Sequence, residues 1–208
     1  MNLATLYRNT LREQERDICR WIETRRFLTP TQEQQAVLAD SLNWRAAILG
    51  RRTGKTTLLC LEALHKASEH DRQNILYLVP GIHQAEPVLM TLSELARRAE
   101  LEHEVRDGLM MLSNGSAIYL RSIAETSRAR GLRYDLLCID ELAHISIPIE
   151  AIMGTAFALA AQEGEILIAF TPAVQRQHNV DIHNHLADLG FSIHRQVTDL
   201  VEGLSLAG

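Results

Sequence analysis

A chain of 208 residues is long enough for one α/β domain with a hydrophobic core and too short for two such domains. Hydrophobic residues make up 46% of the sequence, which is ordinary for a globular protein and argues against a disordered chain. The formal net charge of −5 excludes a globally basic protein that coats nucleic acid. Contact with DNA would therefore require a local basic patch.

The cysteines and the apolar segments indicate the cellular compartment of the protein. Cys19, Cys60 and Cys138 have no C-x-x-C spacing, and the last two stand in apolar segments, where cysteine behaves as a small core residue. A disulfide framework is not expected, and a reducing setting is. The N-terminus has no apolar signal-peptide core, and no apolar run is long enough to cross a bilayer. We therefore expect a soluble, cytoplasmic protein with no membrane partner.

The first predicted elements are helical. The spacing of apolar residues predicts an amphipathic helix from Leu3 to Phe27. Its apolar face holds Leu3, Leu6, Tyr7, Leu11, Ile18, Trp21 and Ile22. Leu28-Thr29-Pro30-Thr31 breaks this helix, and either threonine can cap a second helix that runs to about Asp40. Trp44 to Leu49 is then a short apolar run suited to a buried strand, and a new helix begins around Lys55.

The alternation of strand and helix continues to Pro172. Strands are predicted at Ile75 to Val79, Leu136 to Ile139 and Ile166 to Phe170, and helices are predicted at Ile82 to Ala99 and Ile149 to Ala161. A β-hairpin is predicted from Met110-Met111-Leu112, the turn Asn114-Gly115, and Ala117 to Leu120. Near-continuous apolar strands separated by helices predict a mainly parallel sheet covered on both faces. We expect one domain over residues 27–208 with a helical extension over residues 1–26.

The strongest chemical signal follows the first predicted strand. The run Gly50-Arg51-Arg52-Thr53-Gly54-Lys55-Thr56-Thr57 lies between a strand and a helix, as a phosphate-binding loop does. Glycines let backbone N–H groups surround phosphates, and the helix presents its positive end to them. Lys55 would reach the β- and γ-phosphates of ATP, and the Thr56 hydroxyl would ligate Mg²⁺. The usual G-x-x-x-x-G-K-T spacing is not met, because Leu49 stands where the first glycine belongs.

A pair of carboxylates completes the predicted ATPase site. Asp140 and Glu141 end the buried strand Leu136 to Ile139, at the edge where open α/β sheets bind ligands. Asp140 would hold Mg²⁺ through a water molecule. Glu141 would polarise the attacking water, since phosphoryl transfer needs positioning and charge neutralisation. Together with the phosphate loop, this pair predicts hydrolysis of ATP to ADP and phosphate.

The set of motifs resembles the motor domain of phage terminase large subunits. The likeness runs from about Phe27 to Pro172 and keeps the order of the motifs. Single motifs are shared with helicases, whereas an arginine inside the phosphate loop is a recurring feature of terminases. The resemblance implies a RecA-like P-loop NTPase fold. It also implies a motor that drives double-stranded DNA into a viral capsid, in the host cell cytoplasm.

Further site residues and partners are implied by the same resemblance. Gln32 matches a glutamine that reads adenine, and Thr171, before Pro172, matches a motif that couples hydrolysis to the part that grips DNA. Arg51 would stabilise charge on the γ-phosphate or report the nucleotide state to a neighbour, although the choice between it and Arg52 stays open. The partners implied are a homo-oligomeric ring, a portal and a small terminase subunit.

Two other groups of polar residues allow weaker interpretations. Arg121, Arg128, Arg130 and Arg133 form the densest basic stretch. They could contact DNA phosphates or a neighbour's nucleotide, and a solvated charged loop is nearly as good an interpretation. The histidine-rich tail contains His178, Asp181, His183, His185 and His194, a spacing that matches no familiar metal site.

One departure from the terminase pattern leaves two rival functions open. A terminase large subunit carries a metal-dependent nuclease after its motor, and too few residues follow Pro172 for one, so nuclease activity is not expected. The first rival is a single RecA-like lobe of a helicase-related ATPase. The second is an assembly protein that nucleotide binding switches. DNA-dependent ATP turnover would separate a motor from a switch.

Overall fold

A computed structural model describes residues 18–25, 29–129, 131–145, 147–172 and 176–196. Residues 18–24 are helical, and Ile18, Trp21 and Ile22 are buried, as the predicted apolar face requires. This helix ends at Thr24 and Arg25 is in a turn, while residues 3–17 of the predicted helix, together with residue 26 and Phe27, lie outside the described residues. The division of the chain after residue 26 stays a prediction.

Within the described residues, eight strands form one sheet. They are β1 (Trp44–Ile48), β2 (Asn74–Val79), β3 (His103–Arg106), β4 (Leu109–Leu112), β5 (Ala117–Ser122), β6 (Tyr134–Asp140), β7 (Ala160–Phe170) and β8 (Ser192–Arg195). Their order across the sheet is β3-β4-β5-β2-β6-β7-β1-β8. In the spatial run β5-β2-β6-β7-β1-β8, every neighbouring pair of strands is parallel. Strand β4 pairs antiparallel with both β3 and β5. The predicted mainly parallel sheet is confirmed.

Helices cover both faces of this sheet. They are α1 (Gln32–Ala39), α2 (Lys55–Glu69), α3 (Ala85–Arg98), α4 (Ile149–Leu159) and α5 (Arg176–Asp188). Side chains alternate along a strand, so Leu136 and Cys138 of β6 join the core under α2 and α3, while Leu137 and Ile139 join the core under α4. Burial on both faces explains why the strands read as continuous apolar runs. No helix among the described residues is long and apolar enough to span a membrane.

The strand order places the predicted site at one edge. Strand β7 lies between β1 and β6, and its register aligns Phe170 with Ile48 and Ala169 with Asp140. Because these strands are parallel, the loop after β1, the acidic pair after β6 and Thr171 after β7 meet at the carboxyl edge of the sheet. This is the RecA-like arrangement that the sequence predicts.

The predicted boundaries are correct in some places and wrong in others. The hairpin is confirmed, with Gly115 at a φ of 81° in the turn between β4 and β5. The prediction that helix Ile149 continues to Ala161 is wrong: α4 ends at Leu159, because Ala160 starts β7 and pairs with Tyr134. The helix predicted from Ile82 begins as a 3₁₀ turn and becomes α3 at Ala85. Strands β3 and β8 and helix α5 had no predicted counterpart.

Candidate nucleotide site

The phosphate loop turns from β1 into α2 through a left-handed glycine. Gly54 has a φ of 77°, and a Cβ there would lie 2.8 Å from Nε2 of Gln34. Lys55 follows as the first residue of α2 and is 6% exposed. Its Nζ lies 2.8 Å from the Gly50 carbonyl oxygen and 3.5 Å from Glu141 Oε1. The predicted lysine and the predicted carboxylate pair therefore share one crevice.

Asp140 is held from two sides by hydroxyl groups. Thr56 Oγ1 and Tyr77 Oη each donate to Asp140 Oδ2 at 2.9 Å, while Oδ1 is buried and accepts no hydrogen bond from the described protein atoms. Burial raises the pKa of Asp140 above its usual value, and the two hydroxyl groups work in the opposite direction. The two residues predicted to bind metal, Thr56 and Asp140, are thus in direct contact.

Glu141 points into the same crevice because its backbone adopts a left-handed conformation. In a continuing strand its side chain would leave by the other face, but Glu141 has a φ of 50°, in the left-handed region. Its carboxylate accepts hydrogen bonds from the Thr171 amide at 3.1 Å and the Thr171 hydroxyl at 3.0 Å. Thr171 therefore fixes the carboxylate beside Lys55, and the end of β7 is coupled to the end of β6.

The other predicted residues of the loop are divided between its interior and its surface. Thr53 Oγ1 donates to the Gly50 carbonyl oxygen at 2.9 Å, and Thr57 is half-buried. The side chains of Arg51 and Arg52 are exposed, and Arg52 has a φ of 61°. The arginines are thus available to a ligand or to a neighbouring molecule.

A glutamine other than the predicted one contacts the loop. Gln32 is exposed at the first position of α1, so its role in reading adenine stays a prediction. Gln34, two residues on, donates from Nε2 to the Thr53 carbonyl oxygen at 2.8 Å and accepts from the Thr31 amide at 2.9 Å. The Thr31 side chain in turn accepts from the Gln34 amide and caps α1. The sequence left Thr29 and Thr31 open as the cap, and nothing in it signalled the contact between Gln34 and the loop.

A second contact that the sequence did not predict comes from the end of β8. The Gln196 amide continues the pairing with β1 by donating to the Ile48 carbonyl oxygen at 3.2 Å. Its side-chain Oε1 accepts from the Gly50 amide at 3.1 Å. The first glycine of the loop is thereby tied to the edge of the sheet.

The sequence profile of one protein family matches this chain. The family is described as "Terminase large subunit, T4likevirus-type, N-terminal", and the match covers residues 47–193, from β1 to β8. The chain belongs to this terminase family. The matched segment includes the phosphate loop, the acidic pair and Thr171.

Solved terminase structures share the fold of the chain. The ATPase domain of the Thermus phage P74-26 large terminase superposes with a TM-score of 0.62 at 22% identity, covering 76% of this chain and 70% of that one. The HK97 bacteriophage large terminase gives 0.62 at 19% identity, covering 79% and 38%. The N-terminal domain of the phi29 DNA packaging ATPase gives 0.55 at 11%, covering 77% and 94%. These likenesses confirm the RecA-like fold, and no curated protein sequence matches the chain.

The basic stretch of this terminase chain spans both edges of its sheet. Arg121, near the end of β5, donates to the Leu120 carbonyl oxygen at 2.7 Å. Arg133 precedes β6, at the opposite end of that strand from Asp140, and donates to the Ala158 carbonyl oxygen at 2.7 Å. Arg130 and the side chain of Arg128 lie outside the described residues.

The predicted histidine-rich tail is distributed along the last two described elements of the terminase chain. Asp181, His183 and His185 lie on α5, whereas His194 lies on β8 and its Nε2 is 2.8 Å from Asp40 Oδ2. The side chain of His178 lies outside the described residues. Among the described residues, no group of three or more His, Cys, Asp or Glu side chains is placed to hold a metal ion.

Proposed function

We propose that this chain hydrolyses ATP and uses the reaction to move double-stranded DNA, as the motor part of a packaging terminase. The observation that carries the proposal is the meeting of Lys55, Thr56, Asp140, Glu141 and Thr171 in one crevice within the segment that matches the terminase family. The chain spans 38% of the HK97 large terminase, so DNA movement is proposed for the whole assembly and not for this domain alone.

The oxygen atoms around α2 fit a magnesium nucleotide. Mg²⁺ prefers hard oxygen ligands, and the Thr56 hydroxyl and Asp140 Oδ1, which is buried without a hydrogen bond, are of that kind. These two residues would hold the ion, Asp140 through water. When bound, Mg²⁺ neutralises charge on the phosphates. A large terminase of a thermophilic bacteriophage has been solved with ADP and with ATP-gamma-S, which supports a nucleotide as the ligand.

Each of the remaining residues has a distinct role in this proposal. Lys55 binds the β- and γ-phosphates, aided by the loop residues Gly50 to Gly54 and Thr57. Glu141 orients and polarises the attacking water, because its carboxylate is fixed by Thr171 and lies beside Lys55. Thr171 passes the change at the γ-phosphate to β7.

The exposed arginines in the phosphate loop are the basis for proposing that hydrolysis depends on assembly. An arginine at the γ-phosphate contributes about 10³–10⁵ in rate. Arg51 or Arg52 would supply this charge within the chain, or a neighbouring subunit in a ring would supply it. A ring on the portal, with the small terminase subunit nearby, is the setting that the family suggests. Turnover per chain should therefore rise with protein concentration.

The deciding experiment measures ATP turnover with and without double-stranded DNA, together with the mass of the protein in solution. A motor should turn over ATP faster when double-stranded DNA is added, because DNA gathers subunits and completes their sites. Single-stranded DNA of the same length is the control. Nucleotide binding with turnover that neither DNA nor protein concentration changes would contradict the motor and favour a nucleotide-switched assembly protein.

A further inference from the structure

A buried tyrosine outside every nucleotide motif contacts the proposed metal carboxylate. Tyr77 lies on β2, beside β6, and its register partner is Cys138. Asp140 stands two residues beyond Cys138 and therefore on the same face of β6. The Tyr77 ring spans that distance, so that its hydroxyl donates to Asp140 Oδ2 at 2.9 Å.

The hydrogen bonds leave the two oxygens of Asp140 in different environments. Oδ2 accepts from Tyr77 and from Thr56, both at 2.9 Å, which accounts for its main acceptor directions. Oδ1 is buried and has no hydrogen bond from the described protein atoms. A buried carboxylate oxygen without a partner is costly, and a bound cation or its water would remove that cost.

The Tyr77 hydroxyl is a donor that the core itself does not require. The residue is fully buried, and a phenylalanine would fill nearly the same volume without the expense of burying a hydroxyl. A phenol hydroxyl is protonated at neutral pH and a carboxylate oxygen can only accept, so at 2.9 Å Tyr77 acts toward Asp140 as a donor.

We propose that Tyr77 is a positioning residue of the ATP site, whose hydroxyl fixes the Asp140 carboxylate so that Oδ1 is presented to the hydrated Mg²⁺. This inference rests on the proposed ATPase function and extends it to a strand that carries no nucleotide motif. Thr56 is already engaged by the metal in that function, so Tyr77 is the donor that stays on Oδ2 throughout.

The test is the magnesium dependence of Tyr77→Phe. The Mg²⁺ concentration for half-maximal ATP turnover should rise about tenfold or more, because outer-shell partners of metal ligands typically change metal affinity by about 10- to 100-fold. A readout independent of turnover is the affinity for a fluorescent ADP analogue. It should fall in Mg²⁺ and stay unchanged in EDTA, where Asp140 has no metal to hold.

Tyr134→Phe is the matched control, since it removes a hydroxyl from a buried tyrosine at the other end of β6. It should leave the Mg²⁺ dependence unchanged. A double-variant cycle adds a second check: in an Asp140→Asn background, Tyr77→Phe should no longer change the Mg²⁺-dependent affinity for the analogue, because it acts through the carboxylate.

A measurement that keeps Tyr77 guards against a variant that fails to fold. Four tyrosines are present, so fluorine spectra of protein labelled with 3-fluorotyrosine can be assigned by substituting the other three. The Tyr77 resonance should shift with ADP and Mg²⁺ but not with ADP in EDTA. An unchanged resonance, or a Tyr77→Phe protein that titrates Mg²⁺ as the wild type does, would overturn the inference. A wild type that binds no nucleotide would instead overturn the proposed ATPase.

Discussion

Helix α2 has buried charges at both ends, and the two ends differ in how those charges are compensated. From its middle toward its carboxyl end, α2 contributes first Glu62, which pairs with Arg45 of β1. Arg45 is 3% exposed and also lies 2.8 Å from Glu165 of β7. Lys66, one turn along α2, lies 2.8 Å from the other oxygen of Glu165. Each carboxylate in this network faces a fixed cation of the same chain.

At the amino end of α2, neutral groups take the place of cations. Asp140 receives hydrogen bonds from the hydroxyls of Thr56 and Tyr77, which orient its charge without cancelling it. Lys55 forms its ion pair with Glu141. A carboxylate held by hydroxyl groups stays able to attract a metal ion, whereas one held by Arg45 has its charge already balanced. The comparison separates a site for chemistry from a structural ion network.

Removal of one lysine at each end of α2 should give the sharpest contrast. Lys55→Ala should reduce ATP turnover at least about 100-fold, because it deletes the charge placed at the phosphates. Lys66→Ala is the matched control and should keep turnover within about twofold, since its partner Glu165 lies at the other edge. Equal losses in steady-state ATPase assays of the two folded variants would contradict the division of roles.

The carboxylates offer a second contrast. Glu141→Gln should lower the turnover number by about 10²- to 10³-fold while nucleotide binding persists, because an amide cannot polarise water as a carboxylate does. Glu165→Gln should keep turnover near the wild-type value and lower the unfolding temperature. Single-turnover assays and binding of a fluorescent ADP analogue measure the two quantities separately. Retained hydrolysis in Glu141→Gln would assign the base elsewhere.

Substitutions in the ion network around Arg45 should change the stability of the fold. Arg45→Met leaves the buried Glu62 carboxylate without its cation and should lower the free energy of unfolding by about 3–5 kcal/mol in urea titrations. Adding Glu62→Gln should recover part of this loss, because the stranded charge is then removed. The folded fraction should hydrolyse ATP normally. A stable Arg45→Met protein with impaired hydrolysis would show that the two ends of α2 are not independent.

The smallest expected effect concerns the glutamines of α1. Gln34→Ala removes the bond to the Thr53 carbonyl oxygen and should raise the KM for ATP about fivefold, in line with one hydrogen bond of about 1 kcal/mol. Gln32→Ala should instead weaken the preference for ATP over GTP, if Gln32 reads adenine. Comparing both nucleotides with both variants decides which glutamine acts on the base.

The site residues that the sequence predicts are those that belong to motifs of consecutive residues. Lys55 and Thr56 begin a helix after a glycine-bearing loop, and Asp140 and Glu141 stand at the end of a buried strand, so local pattern alone marks them. The sequence did not predict a role for Tyr77, because a tyrosine inside an apolar strand looks like any core residue until the strand beside β2 is known. Its contact with Asp140 depends on strand order, which is a property of the whole sheet.

The remaining errors also have physical causes. Strand β8 is four residues long and half-buried throughout, so it carries no alternating pattern to detect. The alanines at 160 and 161 favour a helix by propensity, yet pairing with β6 extends β7 through them. Gln34 was missed for the reason that hid Tyr77, since its contact with Thr53 is made between α1 and the loop after β1.

The tie between Gln196 and Gly50 has a consequence for hydrogen exchange. Strand β8 ends the sheet and, among the described strands, pairs with β1 alone, so its opening should need less free energy than that of the central strands. Whenever β8 opens, the Gly50 amide loses its acceptor and exchanges with solvent. The protection of this one amide should therefore follow that of the edge strand and not that of helix α2, which makes Gly50 a built-in reporter of fraying beside the phosphate loop.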